Sequence, residues 1–351
     1  MRRLRPAVRF LLPALAEVIC LLLAWQAAAA VADLYPAAVS LRYRAPLTAA
    51  ELAQAEQPEE TEEGAQLRLA AAWYEEEGEA ALANTVRTAT AVRYRGDRAA
   101  IARLTYLSGG EPGAREDAAL VSEGFARALW GSADVLGQTF SWQGERFTVC
   151  GVYEGEDGLY LPQKGREGFC CLELTGPAED PVGAALDFTA RTGLDGWDGA
   201  AWGTAGGTLL RLLVWLPPLA GALWALWRLA RLSWPRRGAA RYALAAAAVL
   251  LLGALLPMGA AHLPGWLTPP RWSDFSFWYQ LWCSAGARLE EWFRLPVWEK
   301  DVEAKRTLLV WLGGWLGSAA ALAALKEGLL RAAPPGDRAD TAKRAPGALD
   351  F

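Results

Sequence analysis

Long stretches of this chain carry almost no charge, and that limits its fold more than any motif does. A helix needs about 20 apolar residues to cross a bilayer core. Four blocks answer that description. The first runs from about Ala7 to Val31, broken only by Arg9, Pro13, Glu17 and Gln26. The second covers about 207–229 and the third about 242–262, with no charge between Ala243 and Met258. The fourth covers about 308–325, and its Gly313, Gly314, Gly317 and Ser318 offer a small-residue face for close helix packing. Overall, 53% of residues are hydrophobic, only slightly above a soluble domain, so it is their clustering that points to a membrane. Most of the 18 tryptophans follow residue 196, among the last three blocks, as an interfacial aromatic belt requires.

Basic flanks set the expected orientation. Arg2, Arg3, Arg5 and Arg9 precede the first block. Arg228, Arg231, Arg236, Arg237 and Arg241 lie between blocks two and three, with no acid among them. Lys326, Arg331, Arg338, Lys343 and Arg344 follow the fourth. Four spans put these three segments on one side, the cytoplasm, with both termini. The arginines near Met1 also resemble a signal-peptide n-region, but the block is long for a cleaved signal, which favours an uncleaved anchor. Segment 32–205 then lies outside, with 14 basic and 28 acidic residues, a net charge of −14. Lys305 and Arg306 run against the rule and are balanced by Glu299, Asp301 and Glu303.

The outer segment is long enough for one domain of mixed α+β structure. Thr48 with Glu51 three residues on reads as a helix start. Alternation predicts a strand at 67–73 and further strands at 91–94 and 100–106, with Arg95–Arg98 turning between the last two. Ser122 caps a predicted short helix, 123–130, that ends at Gly131. Gln138 to Tyr153 reads as a β-hairpin turning at Gln143–Glu145.

Ser122, Ala126, Leu129, Gly131, Gly137, Gly144, Phe147, Val149, Gly151 and Val152 stand where the periplasmic core domain of the MacB family carries a matching pattern. The Leu-Ser-Gly-Gly at 107–110 is similar too. The layout of one anchor helix, a core domain and three further helices resembles FtsX-like permeases. The resemblance implies an N-terminus and first span at 1–32, a MacB-like core domain at 33–205, an FtsX-like membrane region at 206–331 with an outside loop at 263–306, and a disordered cytoplasmic tail at 332–351. The proline-rich start of that loop is followed by the aromatic run 272–282, which reads as an interfacial amphipathic helix or a re-entrant segment. The long hairpin by which MacB meets partner proteins has no counterpart.

No catalytic constellation stands out. A P-loop needs Gly-Lys before Ser or Thr, and the chain has no Gly-Lys pair, so ATP is expected on another subunit and no cofactor on this one. Its one histidine, His262, has no nucleophile or ligand set spaced around it, so it reads as an interfacial residue. No basic stripe suits nucleic acid. Outside the cytoplasm a disulfide between Cys150 and Cys170 or Cys171 is chemically allowed, unless the strands point the thiols apart. Glu17, inside the first span, must be paired, protonated or facing a polar cavity. That leaves two readings, a static interhelical hydrogen bond or a group that responds to conformational state.

The resemblance implies that the loop with Arg228, Arg231, Trp234, Pro235, Arg236 and Arg237 docks an ABC ATPase. It implies a permease-like subunit, paired with a second copy or another permease, that couples ATP hydrolysis to movement of the outer domain. A membrane-anchored sensor or scaffold using the same domain without an ATPase is the alternative.

Overall fold

The computed structural model describes residues 4–57, 67–113, 115–177, 180–233, 271, 273–294 and 298–332. Its helices are α1 (Leu4–Leu34), α2 (Ala49–Glu56), α3 (Glu123–Trp130), α4 (Pro181–Thr192), α5 (Gly203–Val214), α6 (Leu216–Ser233), α7 (Phe275–Arg294) and α8 (Glu299–Ala332). Its strands are β1 (Val39–Arg42), β2 (Arg68–Leu82), β3 (Thr85–Gly96), β4 (Tyr106–Gly109), β5 (Ala118–Ser122), β6 (Thr139–Trp142), β7 (Glu145–Tyr153), β8 (Leu159–Pro162), β9 (Cys171–Thr175) and β10 (Gly199–Ala201). The chain divides into a helix unit (Met1–Ala28, Leu210–Ala260, Arg306–Phe351) and a sheet unit (Ala29–Leu209, Ala261–Lys305).

Among the described residues, Phe10–Leu34, Gly203–Arg228 and Glu299–Leu330 are long and apolar enough to cross a membrane. The block at 242–262, with His262, lies outside the described residues. Two expectations need correction. The second block is two helices with a break at Trp215, because Pro217 and Pro218 lack the N–H that a helix interior needs and fit only in the first turn of α6. The fourth helix starts at Glu299, well before its apolar block, so its first two turns fall within 263–306, while α7 in the same segment takes up most of the aromatic run read as an amphipathic helix.

In the helix unit, the small-residue face of α8 packs on α1. A Cβ at Gly314 would lie 2.8 Å from the Cys20 carbonyl oxygen, and one at Gly317 would lie 2.6 Å from Cys20 Sγ. Gly313 meets nothing and points elsewhere. Ser318 Oγ donates to Glu17 Oε1 at 2.9 Å, and both residues are buried. Trp315 Nε1 donates to the Leu213 carbonyl at 2.9 Å, satisfying an orphan acceptor at the end of α5.

In the sheet unit, ten strands form one mixed sheet in the order β10-β1-β9-β2-β3-β8-β5-β7-β4, and β6 pairs with both β2 and β7. The path β2-β3-β8-β5-β7-β6 therefore closes on itself, while β9, β1 and β10 extend from the first half of β2. The ring is filled by Phe125, Phe140, Trp142, Phe147, Val149 and Leu159. On the extension, Leu41, Leu172 and Leu174 pack with Leu52 and Phe188 of α2 and α4.

The expected capping box at Thr48 is present. The expected hairpin is β6–β7, turning on Gln143 and Gly144, whose φ values of 47° and 90° define a tight left-handed turn that matches strand twist. The strand expected at 100–106 is absent. Asp97 Oδ1 instead accepts from Ala99 N–H at 2.9 Å and starts a 3₁₀ turn, Arg98–Ala100, so β4 begins only at Tyr106. The partner of β3 is β2, through a turn at 83–84.

The motif residues from Ser122 to Val152 do structural work. Ser122 caps α3 by accepting from Phe125 N–H at 3.2 Å, and Ala126, Leu129, Phe147, Val149 and Val152 are buried in the ring. The tightest point is Gly124, where a Cβ would lie 1.9 Å from the Glu156 carbonyl oxygen. Gly124→Ala gains about 1 kcal/mol of helix propensity but drives backbone into backbone, so its thermal midpoint should fall. An unchanged midpoint would mean that the loop at Glu156 yields freely.

Candidate functional site

Strand register gathers polar residues onto one face of the sheet extension. β1 pairs antiparallel with β9, Ser40 opposite Glu173 and Arg42 opposite Cys171; β9 pairs with β2, Cys171 opposite Trp73. Side chains alternate along a strand. Val39, Leu41, Leu172 and Leu174 therefore feed the apolar core. Ser40, Arg42, Glu173, Cys171 and Trp73 share the opposite face. A face this polar ordinarily meets water. Here Arg42, Glu173 and Trp73 are all 0% exposed.

Residues 298–301, at and just before the start of α8, cover that face. Asp301 accepts from Arg42 Nε at 3.0 Å and Arg42 Nη2 at 3.1 Å, a two-point guanidinium–carboxylate contact. Tyr35 OH donates to Asp301 Oδ1 at 2.5 Å. Lys300 Nζ donates to Glu173 Oε1 at 2.9 Å and to the Ile101 carbonyl at 2.5 Å. It also lies 4.7 Å and 5.2 Å from the ring centroids of Tyr35 and Trp73. Glu173 Oε1 accepts as well from Ser40 Oγ at 2.6 Å and Trp73 Nε1 at 2.8 Å. The Trp298 ring meets Trp73 edge-on with centroids 6.0 Å apart.

Two cations and two carboxylates thus lie together out of water. Burial disfavours the Arg42 charge, but the neighbouring Asp301, Cys171 and Glu173 outweigh it and hold the pKa above the ordinary guanidinium value. Burial pushes the Cys171 thiol well up, against a smaller pull from Arg42, which keeps it protonated and unreactive.

Glu75 of β2 completes the grip. Its carboxylate accepts from the backbone N–H of Glu299 at 2.7 Å and of Lys300 at 3.4 Å, which supplies an N-terminal cap for α8 from a distant part of the chain. Desolvation raises the Glu75 pKa to about 7, the two N–H donors oppose the rise, and the nearby Glu299 and Asp301 add to it.

Of these residues only Cys171 figures among the candidates drawn from the sequence, and there for a disulfide. Of those candidates, Glu17 meets Ser318 in the helix unit. Arg228 and Arg231 lie on α6, while Trp234, Pro235, Arg236 and Arg237 are outside the described residues. The disulfide is not formed: Cys150, Cys170 and Cys171 are free thiols. The reason is topological, since β2, β3, β8 and β5 stand between β9 and β7 along the sheet, and Cys150 Sγ turns to the Ala119 carbonyl at 3.3 Å.

No protein-family model matches the chain, and no curated protein does. Solved structures to which the chain is similar include two extracytoplasmic domains. One is the extracellular domain of the noncanonic ABC-type transporter YknZ from Gram-positive bacteria, at 14% identity over 44% of this chain and 94% of that one, with a TM-score of 0.35. The other is the periplasmic region of MacB from Actinobacillus actinomycetemcomitans, at 12% identity over 47% and 87%, with a TM-score of 0.37.

Two predictions follow from the cluster. Arg42→Met strands Asp301 without its cation, and loss of one partner from a buried pair costs about 3–5 kcal/mol. Denaturant unfolding of the detergent-solubilised chain should show a loss of that size, with part regained in Arg42→Met/Asp301→Leu. For Glu75, the folded pKa of about 7 exceeds the ordinary 4.5, so its contribution to stability weakens as pH rises from 4.5 through 7. Glu75→Gln should melt with the parent near pH 4.5 and progressively above it up to pH 8. A gap that does not change with pH would refute the assignment.

Proposed function

We propose that this chain is a permease-like subunit of an ABC transporter of the MacB/FtsX mechanotransmission type. A separate ATPase subunit hydrolyses ATP, and this chain turns closure of that subunit into movement of its extracytoplasmic domain, for export or for signalling across the membrane. The basic stretch that begins on α6 and continues through Arg231, Trp234, Pro235, Arg236 and Arg237 docks the ATPase. Two copies, or this chain and a second permease, pair in the bilayer.

One observation supports the reading above all. The last apolar helix does not start at the end of its apolar block. It starts at Glu299, and its first turn is held by Glu75, Arg42, Glu173 and Tyr35 of the sheet unit. The helix then continues without interruption to Ala332. A helix is stiff along its axis, so displacement of its apolar part is handed to a domain that grips its first turn through charges too costly to separate. The sequence pattern from Ser122 to Val152 supports the same family.

Affinity purification of this chain from its native membranes should bring down an ATPase subunit in a complex that hydrolyses ATP. In that complex, Asp301→Asn should keep the ATPase bound and active, while the nucleotide-dependent shift of a spin label on the sheet unit shrinks severalfold. Failure to bind any ATPase would favour the sensor or scaffold. A full shift in the Asp301→Asn complex would remove the charge cluster from the coupling path.

A further inference from the structure

The helix unit carries a groove of about 380 Å³ between α6 and α8. Leu216, Ala220 and Trp224 line it from α6, and Trp315, Ala319 and Leu322 from α8. It exists because alanine and glycine face each other across the two helices, leaving space where larger side chains would interlock. The lining is apolar apart from one end, where Lys326 closes it. At that end Trp224 has two cations against its ring, Arg228 Cζ at 5.7 Å and Lys326 Nζ at 5.5 Å from the centroid. Among the described residues neither cation has a carboxylate partner, although carboxylates pair with many arginines elsewhere in the chain.

We infer that this groove binds one anionic phospholipid. An acyl chain fills the apolar length, because a void between helices forfeits dispersion contacts on both walls and water finds no hydrogen-bond partner there. The phosphate sits between Arg228 and Lys326, the guanidinium offering a fork and the ammonium a point charge. Trp224 holds both cations by their attraction to its ring face. A zwitterionic lipid fits the groove equally well, but its choline adds a third positive charge beside the two cations and cancels the charge of its own phosphate. An anionic headgroup brings one net negative charge between them and adds no cation. The site uses Arg228 for lipid and so removes it from the ATPase-docking surface. It rests on α6 and α8 lying in a bilayer and not on the presence of an ATPase.

Native mass spectrometry of the delipidated full chain in detergent tests this directly. Titration with phosphatidylglycerol or phosphatidylcholine of the same acyl chains should show one phosphatidylglycerol retained per chain, about thirty-fold more tightly than phosphatidylcholine, the combined effect of two interfacial cations. Arg228→Gln/Lys326→Gln should bring phosphatidylglycerol down to the phosphatidylcholine level. Ala319→Phe, which fills the groove and keeps both cations, should weaken both lipids. Equal retention of the two lipids by the unmodified chain overturns the proposal, and that arm needs no variant to fold. Undiminished phosphatidylglycerol binding by Ala319→Phe overturns it too, since surface charge alone then suffices. So does efficient cross-linking of Ala220→Cys to Ala319→Cys between two chains after delipidation, which would make a second copy the occupant.

Discussion

The contact between Arg42 and Asp301 organises the sheet unit. Neither group has access to water, and a single buried charge in such surroundings is prohibitively expensive. The two therefore require each other, and Lys300 and Glu173 require each other for the same reason. Ser40 and Trp73 donate to Glu173 Oε1 and Tyr35 to Asp301, while Glu173 Oε2 is buried without a hydrogen bond among the described residues. A hydrophobic patch of equal area would have held residues 298–301 against the sheet as firmly. What the charges add is position: a guanidinium fork and a carboxylate meet well in few geometries, and an apolar contact tolerates many. For an element whose task is to pass on displacement, a defined seat matters more than net stability.

The two faces of the sheet extension divide the labour. One face buries leucines against α2 and α4 and keeps the strands together. The other carries the charges and receives the start of α8. Glu75 joins them through the backbone, meeting N–H groups that no earlier turn of helix can satisfy. The closed ring beside the extension is a separate packing problem with its own aromatic filling. Its Ser122-to-Val152 pattern maintains a cap, a turn and a close approach.

In the helix unit, small residues serve two different ends. Gly314, Gly317 and Ser318 bring α8 onto α1 closely enough for Ser318 to reach Glu17. Ala220 and Ala319 leave room that no side chain of the described residues fills. The same residue type gives contact in one place and a groove in the other, depending on what the facing helix presents.

Local chemistry was legible from the residues alone. The apolar blocks, the Thr48 and Ser122 caps and the Gln143–Gly144 turn each depend on neighbours within a few positions, so spacing reveals them. The break at Trp215 and the 3₁₀ turn that replaces a strand after Asp97 are not legible in the spacing, because a proline pair and an aspartate cap act against an otherwise regular pattern. The charge cluster was not legible at all. Ser40, Arg42 and Glu173 alternate with apolar residues just as a solvated sheet face does, and Lys300 and Asp301 look like ordinary acid and base ahead of an apolar block. Only the tertiary structure brings residues 259 positions apart within hydrogen-bond distance and withdraws them from water. The sequence by itself determined which segments are apolar and where the β6–β7 hairpin turns. The fold decided which charges are buried, because burial belongs to the surface laid over a residue and not to the residue.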